Sequence, residues 1–182
     1  MSTTQTKIKN NDITLRLTQI DDAIKLPAIE QSAGQLFSTL EDLSWISESG
    51  VQSVEKHLAF INHKGHWVAV NSENEPVGFI MTTPLPESLF IHELSVSEAW
   101  QNRGIGKLLI QKVKDEAKAH QFSAVTLTTF RHVPWNAPYY QRLGFSILPE
   151  SEIPHSLQEI LDDEVESGGF VKETRCAMKF EV

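Results

Sequence analysis

The chain has 182 residues, 40% of them hydrophobic and 22% charged, with a formal net charge of −8. That length suits a single domain whose core needs neither metal nor disulfide, and the negative balance argues against sequence-independent binding to DNA or RNA through a basic surface. Cys176, the single cysteine, cannot form an internal disulfide, and no run of residues is apolar for long enough to span a bilayer. The expectation is one cytoplasmic, soluble domain over residues 1–182, without a metal, a nucleic-acid partner or a membrane partner.

The opening residues, MSTTQTKIKNND, are polar and lack the apolar core of a signal peptide, so residues 1–11 are expected to form a flexible N-terminus. Ile13 to Leu17 alternates as a first strand. Asp21 and Asp22 then offer an N-cap for an apolar-periodic segment through Ile24, Ala28, Ile29 and Leu36, in which Pro27 predicts a kink or a late start. After an irregular stretch around Trp45 and Gly50, Ser53 can cap a helix carrying Val54, Leu58 and Ile61. His57, His63 and His66 fall near one another, but their spacing fits no zinc pattern, and they are expected on the surface.

His66 to Val70 and Pro76 to Thr82 are short β-rich runs joined by the polar cluster Asn71 to Glu75, which reads as a hairpin. The strand Leu89 to Val96 follows, and then Gln101-Asn102-Arg103-Gly104-Ile105-Gly106 leads into an amphipathic helix reaching about His120. Ile105, Leu108, Leu109, Val113 and Ala117 form its apolar stripe, with Lys107, Lys112, Lys114 and Lys118 available to solvent. Such a junction suits a phosphate, because the first N–H groups of a helix lack intrahelical partners and carry about +0.5 charge from the dipole. It is neither a dinucleotide fingerprint, since Leu109 stands where the third glycine belongs, nor a P-loop, since Lys107 is followed by Leu108.

A strand from Ala124 to Phe130 comes next, then a short helix within Trp135-Asn136-Ala137-Pro138-Tyr139-Tyr140-Gln141-Arg142-Leu143-Gly144-Phe145. Pro138 suits its first turn and Gly144 its C′ position. A strand begins at Phe145, Pro154 to Ser167 reads as an acidic helix, and Phe170 to Phe180 as a final strand. The order of elements describes a mixed α/β sheet. Oligomeric state stays open, although the last strand or the acidic helix could pair two subunits in a homodimer.

The segment from Gln101 to Gly106 resembles the pyrophosphate-binding Q/R-x-x-G-x-G/A motif of the GNAT superfamily of N-acetyltransferases. The segment from Tyr140 to Phe145 resembles the family ending in which a tyrosine precedes Gly-Phe by four residues, about forty residues later. The resemblance covers roughly Ile13 to Phe145 and implies a mostly antiparallel central sheet flanked by helices. Two splayed parallel strands of that sheet would form the cleft for acetyl-CoA. It implies backbone contacts from Leu94, Ser95 and Val96 to the pantetheine arm, and a pyrophosphate cradle from Asn102, Arg103, Gly104, Ile105, Gly106 and Lys107. Many relatives carry an asparagine where Val133 stands here; Asn136 either supplies that contact or caps the helix.

Acylating an amine requires a neutral nitrogen, yet an alkyl ammonium of pKa about 10.4 is neutral only about once in 2,500 at pH 7, a penalty of about 4.6 kcal/mol. By resemblance, Tyr140 is the general acid that protonates the departing thiolate. Glu93, on the strand bordering the expected thioester, is the candidate general base, with His92 and His132 in reserve. Thr128 stands about where some relatives carry a glutamate. The reading is an N-acetyltransferase that uses acetyl-CoA and an amine acceptor in direct transfer. Its acceptor is read as a small molecule, with a protein N-terminus or lysine as the alternative. A binding module that keeps the cradle without turnover is the rival from another class. Aromatic residues such as Phe37, Trp45 and Trp135, in the variable stretches, could line an acceptor pocket.

Overall fold

The computed structural model describes residues 12–182, so the expectation for residues 1–11 lies outside the described residues. The strands are β1 (Thr14–Leu17), β2 (His66–Val70), β3 (Pro76–Pro84), β4 (Leu89–Val96), β5 (Ala124–Phe130), β6 (Ser146–Ile147) and β7 (Arg175–Glu181). The α-helices are α1 (Leu26–Gly34), α2 (Val54–Asn62), α3 (Ile105–Ala119), α4 (Ala137–Arg142) and α5 (His155–Glu166). The strand order is β1-β2-β3-β4-β5-β7-β6. β1 with β2, β2 with β3, β5 with β7 and β6 with β7 are antiparallel. β4 and β5 are parallel, through Leu89 with Val125, Phe90 with Thr126 and Ile91 with Leu127. This is the mixed, mostly antiparallel sheet with one parallel pair that the family resemblance implies. Contacts group the chain into two compact units, residues 12–82 with 93–111 and residues 83–92 with 112–182.

In the first unit the core is Leu26, Ile29, Val68, Val70, Phe79 and Met81, with Phe60 and Ile61 packed against it. Burying each large side chain contributes about 1.5–3 kcal/mol. The helix of Pro27 starts late: Ile20–Lys25 is a 3-10 segment, and α1 begins at Leu26 with the proline in its first turn. That segment breaks the α-helical period, so Ile24 is 75% exposed instead of joining the apolar stripe. Ser53 caps α2 as expected, its hydroxyl accepting from the Lys56 N–H at 3.2 Å. The Asn71 side chain closes the β2–β3 hairpin by accepting from the N–H groups of Glu73 and Glu75.

The histidines correct the sequence reading. His63 is exposed, but His57 and His66 are fully buried. Thr18 Oγ1 lies 2.8 Å from His66 Nδ1, and His66 Nε2 lies 3.1 Å from His57 Nδ1. Both rings stand against Phe79. Each imidazole partners the other, which offsets part of the cost of bringing two polar rings into an apolar interior, although His57 Nε2 is buried without a hydrogen-bond partner. Burial, reinforced by neighbouring Lys56 for His57 and by His57 for His66, pushes their pKa values down to about 4 and about 3.

In the second unit, β7 pairs with β5 along Ala124 to Phe130, and Phe90, Leu157 and Ala177 form a core joined by Leu85, Leu148, Ile153, Ile160 and Leu161. The α5 helix supplies three of these apolar contacts and leaves Glu159, Asp162, Asp163 and Glu166 exposed, while Glu164 turns towards the sheet. The last strand starts at Arg175, five residues later than expected, because Lys172–Thr174 forms a 3-10 turn and Phe170 packs its ring on Phe130.

Helix α3 buries Ile105, Leu109, Val113 and Ala117 as predicted, together with Ile110. Lys114 departs from its expected place in solvent. Its ammonium sits 3.6 Å from the centre of the Phe180 ring and donates to the Leu143 carbonyl at 2.6 Å.

Candidate active site

The first unit carries the end of β4 and the turn into α3. Glu93 is half-buried and accepts from the Ser95 hydroxyl at 2.8 Å. Ser95 is buried, while Leu94 and Val96 are half-buried. A Cβ on Gly78 would stand 3.0 Å from the Ser95 carbonyl oxygen and 3.2 Å from a Val96 methyl, so glycine on β3 permits the close approach at Ser95 and Val96. The Val96 carbonyl already accepts from Gln101 Nε2 at 2.9 Å. Gln101 therefore ties the start of the glycine turn back to the strand, a role the sequence reading did not give it.

Asn102 and Gly104 both take the left-handed conformation, with φ of 60° and 79°. Asparagine and glycine tolerate it best. The helical ladder then starts with the Leu108 N–H on the Gly104 carbonyl at 3.1 Å. The N–H groups of Ile105, Gly106 and Lys107 precede that first bond and have no helical carbonyl to donate to. Arg103 lays its guanidinium 4.7 Å over the Trp100 ring, and Lys107 is exposed. The turn thus gathers backbone donors and two cations in the six residues the sequence singled out.

The same unit holds a carboxylate that sequence reasoning missed. Glu30, on α1, accepts from the Gln52 N–H at 3.0 Å. Burial, and then the Glu93 carboxylate, push its pKa up to about 7. Nothing local marks Glu30, since it is an ordinary helix residue until folding brings it near β4.

The second unit carries Asn136 and Tyr140, whose N–H donates to the Asn136 carbonyl at 3.0 Å. Helix α4 ends in a Schellman motif: the Phe145 N–H donates to the Tyr140 carbonyl and the Gly144 N–H to that of Gln141, with Gly144 at φ 91°. Tyr140 is 9% exposed, and its ring lies edge-on to those of Tyr139 and Phe145. Asn136 occupies the N-cap position but makes no capping bond through its side chain, and its Oδ1 is buried without a hydrogen-bond partner. Val133, standing where relatives carry asparagine, is a buried core residue.

The Thr128 hydroxyl donates to Glu164 of α5, and Glu164 pairs with Arg175 at 3.0 Å. A carboxylate from a helix thus reaches the position where relatives carry a strand glutamate. Of the reserve bases, His92 is exposed against the edge of Phe90 and His132 is exposed. Cys176 is buried on β7 opposite Thr129 of β5, with its thiol pKa pushed up by burial. A shallow depression lined by Thr18, Gln19, Ile61, Asn62 and Lys64 contains none of the predicted site residues. Among the described residues, no three His, Cys, Asp or Glu side chains are grouped to hold a metal ion, and no helix is long and apolar enough to cross a membrane.

Residues 34–145 match the family model described as "Acetyltransferase (GNAT) family". Among solved structures, a GNAT-family acetyltransferase from Listeria monocytogenes superposes with a TM-score of 0.70 at 11% identity, covering 98% of this chain and 100% of that one. The PaiA N-acetyltransferase of Thermoplasma acidophilum, solved with coenzyme A, gives 0.67 at 17% identity over 93% of this chain and 99% of that one. The ribosomal-protein-S18-alanine N-acetyltransferase of Escherichia coli gives 0.61 at 14% identity, over 93% and 94% of the two chains. At these identities the likeness is one of fold.

Proposed function

The chain belongs to the acetyltransferase (GNAT) family, and from that premise we propose that it transfers an acetyl group from acetyl-CoA to the primary amine of a small molecule by direct attack in a ternary complex. The observation that carries this reading is the turn into α3. Left-handed Asn102 and Gly104 set three backbone N–H groups ahead of the first helical hydrogen bond, directly after β4. Those donors, with Arg103 and Lys107, suit a pyrophosphate in a protein whose overall charge is negative. The partnerless Oδ1 of Asn136 suits an amide N–H of the pantetheine arm, and the backbone of Leu94, Ser95 and Val96 offers further contacts.

Within this reading Glu93 takes a proton from the ammonium, the neutral nitrogen attacks the thioester carbonyl, and a backbone N–H near Leu94 receives the oxyanion. Tyr140 then protonates the thiolate as the C–S bond breaks. The second proton lost by nitrogen restores the tyrosine, and Glu93 releases its own to water. Cys176 offers no covalent detour, because a buried thiol with a raised pKa is a poor nucleophile. A cytoplasmic location and a homodimer belong to the same proposal.

A specific observation favours one alternative, a binding module without turnover. The carboxylate that reaches Thr128 is held by Arg175. The test measures acetyl-CoA binding by calorimetry and then CoA thiol release across a panel of small amines and of peptides with free N-termini or lysines. Release with small amines supports the proposal, and release with peptides alone moves the acceptor to protein. Binding without release establishes the module, and an acetylated enzyme formed from acetyl-CoA alone overturns direct attack.

A further inference from the structure

Helix α4 carries Tyr140 but is only six residues long, and its start lacks a side-chain cap: Asn136 makes no capping bond, and Pro138 has no N–H to give. Its other end is built around Tyr140 itself. The Tyr140 carbonyl accepts from the N–H groups of Leu143 at 2.9 Å and Phe145 at 3.1 Å, and the Phe145 ring lies edge-on to the Tyr140 ring with centres 5.8 Å apart. Those same two residues meet Lys114 of α3. Its ammonium donates to the Leu143 carbonyl at 2.6 Å and stands 5.2 Å from the centre of the Phe145 ring and 3.6 Å from that of Phe180 on β7. Gly144 is pressed on the same β7 ring, since a Cβ there would lie 3.3 Å from Phe180 Cε2. Val113 and Ala117, both fully buried, anchor the stretch of α3 from which Lys114 reaches.

We propose that Lys114 is a positioning residue for Tyr140: by clamping the C-terminal turn of α4 from outside, it fixes where the phenol hydroxyl stands when the thiolate departs. This rests on Tyr140 being the acid of the proposed transfer. A phenol of ordinary pKa about 10 delivers its proton efficiently only within hydrogen-bond reach of the sulfur, and a misplacement of about 1 Å costs about 100-fold in rate. A six-residue helix does not hold that tolerance through its own ladder, because helix formation is unfavourable until several turns are made. The clamp supplies it from outside α4, as a charged hydrogen bond from α3 and an aromatic seat on β7. Lys114 moves no proton itself. The O–H bond of Tyr140 breaks and the S–H bond of CoA forms, while the ammonium stays on the Leu143 carbonyl throughout.

The test uses the full chain and compares Lys114→Met, which keeps the apolar stem and removes donor and charge, with Lys114→Arg, which keeps both, at a temperature where urea unfolding shows each variant folded. With an amine that the wild type acetylates, kcat of K114M should fall by roughly tenfold while the calorimetric Kd for acetyl-CoA stays unchanged, and K114R should recover most of the loss. The deciding measurement is a double-mutant cycle. Placed in Tyr140→Phe, which has no proton to position, K114M should lower turnover no further. NMR of 13C-labelled tyrosine reads the same role without turnover. The chain has two tyrosines, so Tyr140 is the signal lost in Y140F; it should shift in K114M and return in K114R. If K114M does not fold, Lys114→Gln, which keeps a donor without the charge, takes its place in every arm. Unchanged kcat in K114M, an equal further loss in the Y140F background, a matching loss of acetyl-CoA affinity or an unmoved Tyr140 signal overturns the positioning role alone. Full turnover in Y140F overturns Tyr140 as the acid, no turnover by the wild type with any amine overturns the enzyme reading, and either result takes the proposed role of Lys114 with it.

Discussion

Asn136 stands at the N-terminus of α4 with φ −110° and ψ −117°, and its side chain makes no capping bond. An ordinary N-cap asparagine contributes about 1 kcal/mol, so Asn136→Ala separates the two roles its position allows. If the side chain serves acetyl-CoA, N136A should leave the urea midpoint nearly unchanged and weaken acetyl-CoA binding by about fivefold to tenfold, the worth of roughly one hydrogen bond. Loss of stability with unaltered binding would return Asn136 to the cap. Tyr140 gives the complementary case. Its ring is packed between Tyr139 and Phe145, and Tyr140→Phe keeps that packing while removing the proton. Turnover should drop by about 100-fold with acetyl-CoA affinity preserved; unchanged turnover removes Tyr140 from the chemistry.

At the scale of elements, α4 is only six residues long and gains little from its own helical hydrogen bonds. Its C-terminal end is held from outside by Lys114 of α3, which donates to the Leu143 carbonyl while resting on Phe180. Lys114→Met should cost about 1–3 kcal/mol in urea unfolding, the combined worth of a charged hydrogen bond and a cation–π contact, and Lys114→Arg less. Equal stability of K114M and wild type would show that the contact contributes nothing. Much of this element level was legible in the sequence. Ser53, Pro27, Gly144 and the Asn71–Glu75 cluster acted where their local chemistry predicted, because caps, prolines and tight turns depend on a few adjacent residues. Lys114 was misplaced because helical periodicity assigns it to the outer face, whereas Phe180, far along the chain, provides a partly buried seat for its ammonium.

For the whole molecule, the buried histidines and Glu30 set opposing dependences of stability on pH. Histidines with folded pKa values of about 4 and about 3 bind protons more readily when unfolded, at an ordinary value of 6.5. Their contribution is complete above the unfolded value and is lost as pH falls through the folded ones, on the order of a few kcal/mol. Glu30, raised from 4.5 to about 7, binds its proton more tightly when folded, so its effect runs the other way and stability falls as pH rises through that interval. In E30Q the histidine slope should stand alone, with urea midpoints rising steadily up to about pH 6.5. A flat profile for E30Q between pH 5 and 6.5, where few other groups titrate, would show that the histidine pair is already accessible to protons.

The sequence by itself determined the order of strands and helices, the glycine turn ahead of α3 and the Tyr140 to Phe145 ending, and the parallel pair came from the family resemblance that the last two carry. The elements, turn and ending are written in short-range patterns of hydrophobicity, glycine and proline. Only the tertiary structure decided that His57 and His66 share a core, that Glu164 meets Thr128, that Gln101 ties back to Val96 and that Glu30 accepts from the Gln52 N–H. The physical reason is the range of the interactions. Local propensity acts over a few residues, whereas burial and charge act across whatever distance in the chain the fold has closed, and the chemistry proposed for this site depends on the second kind.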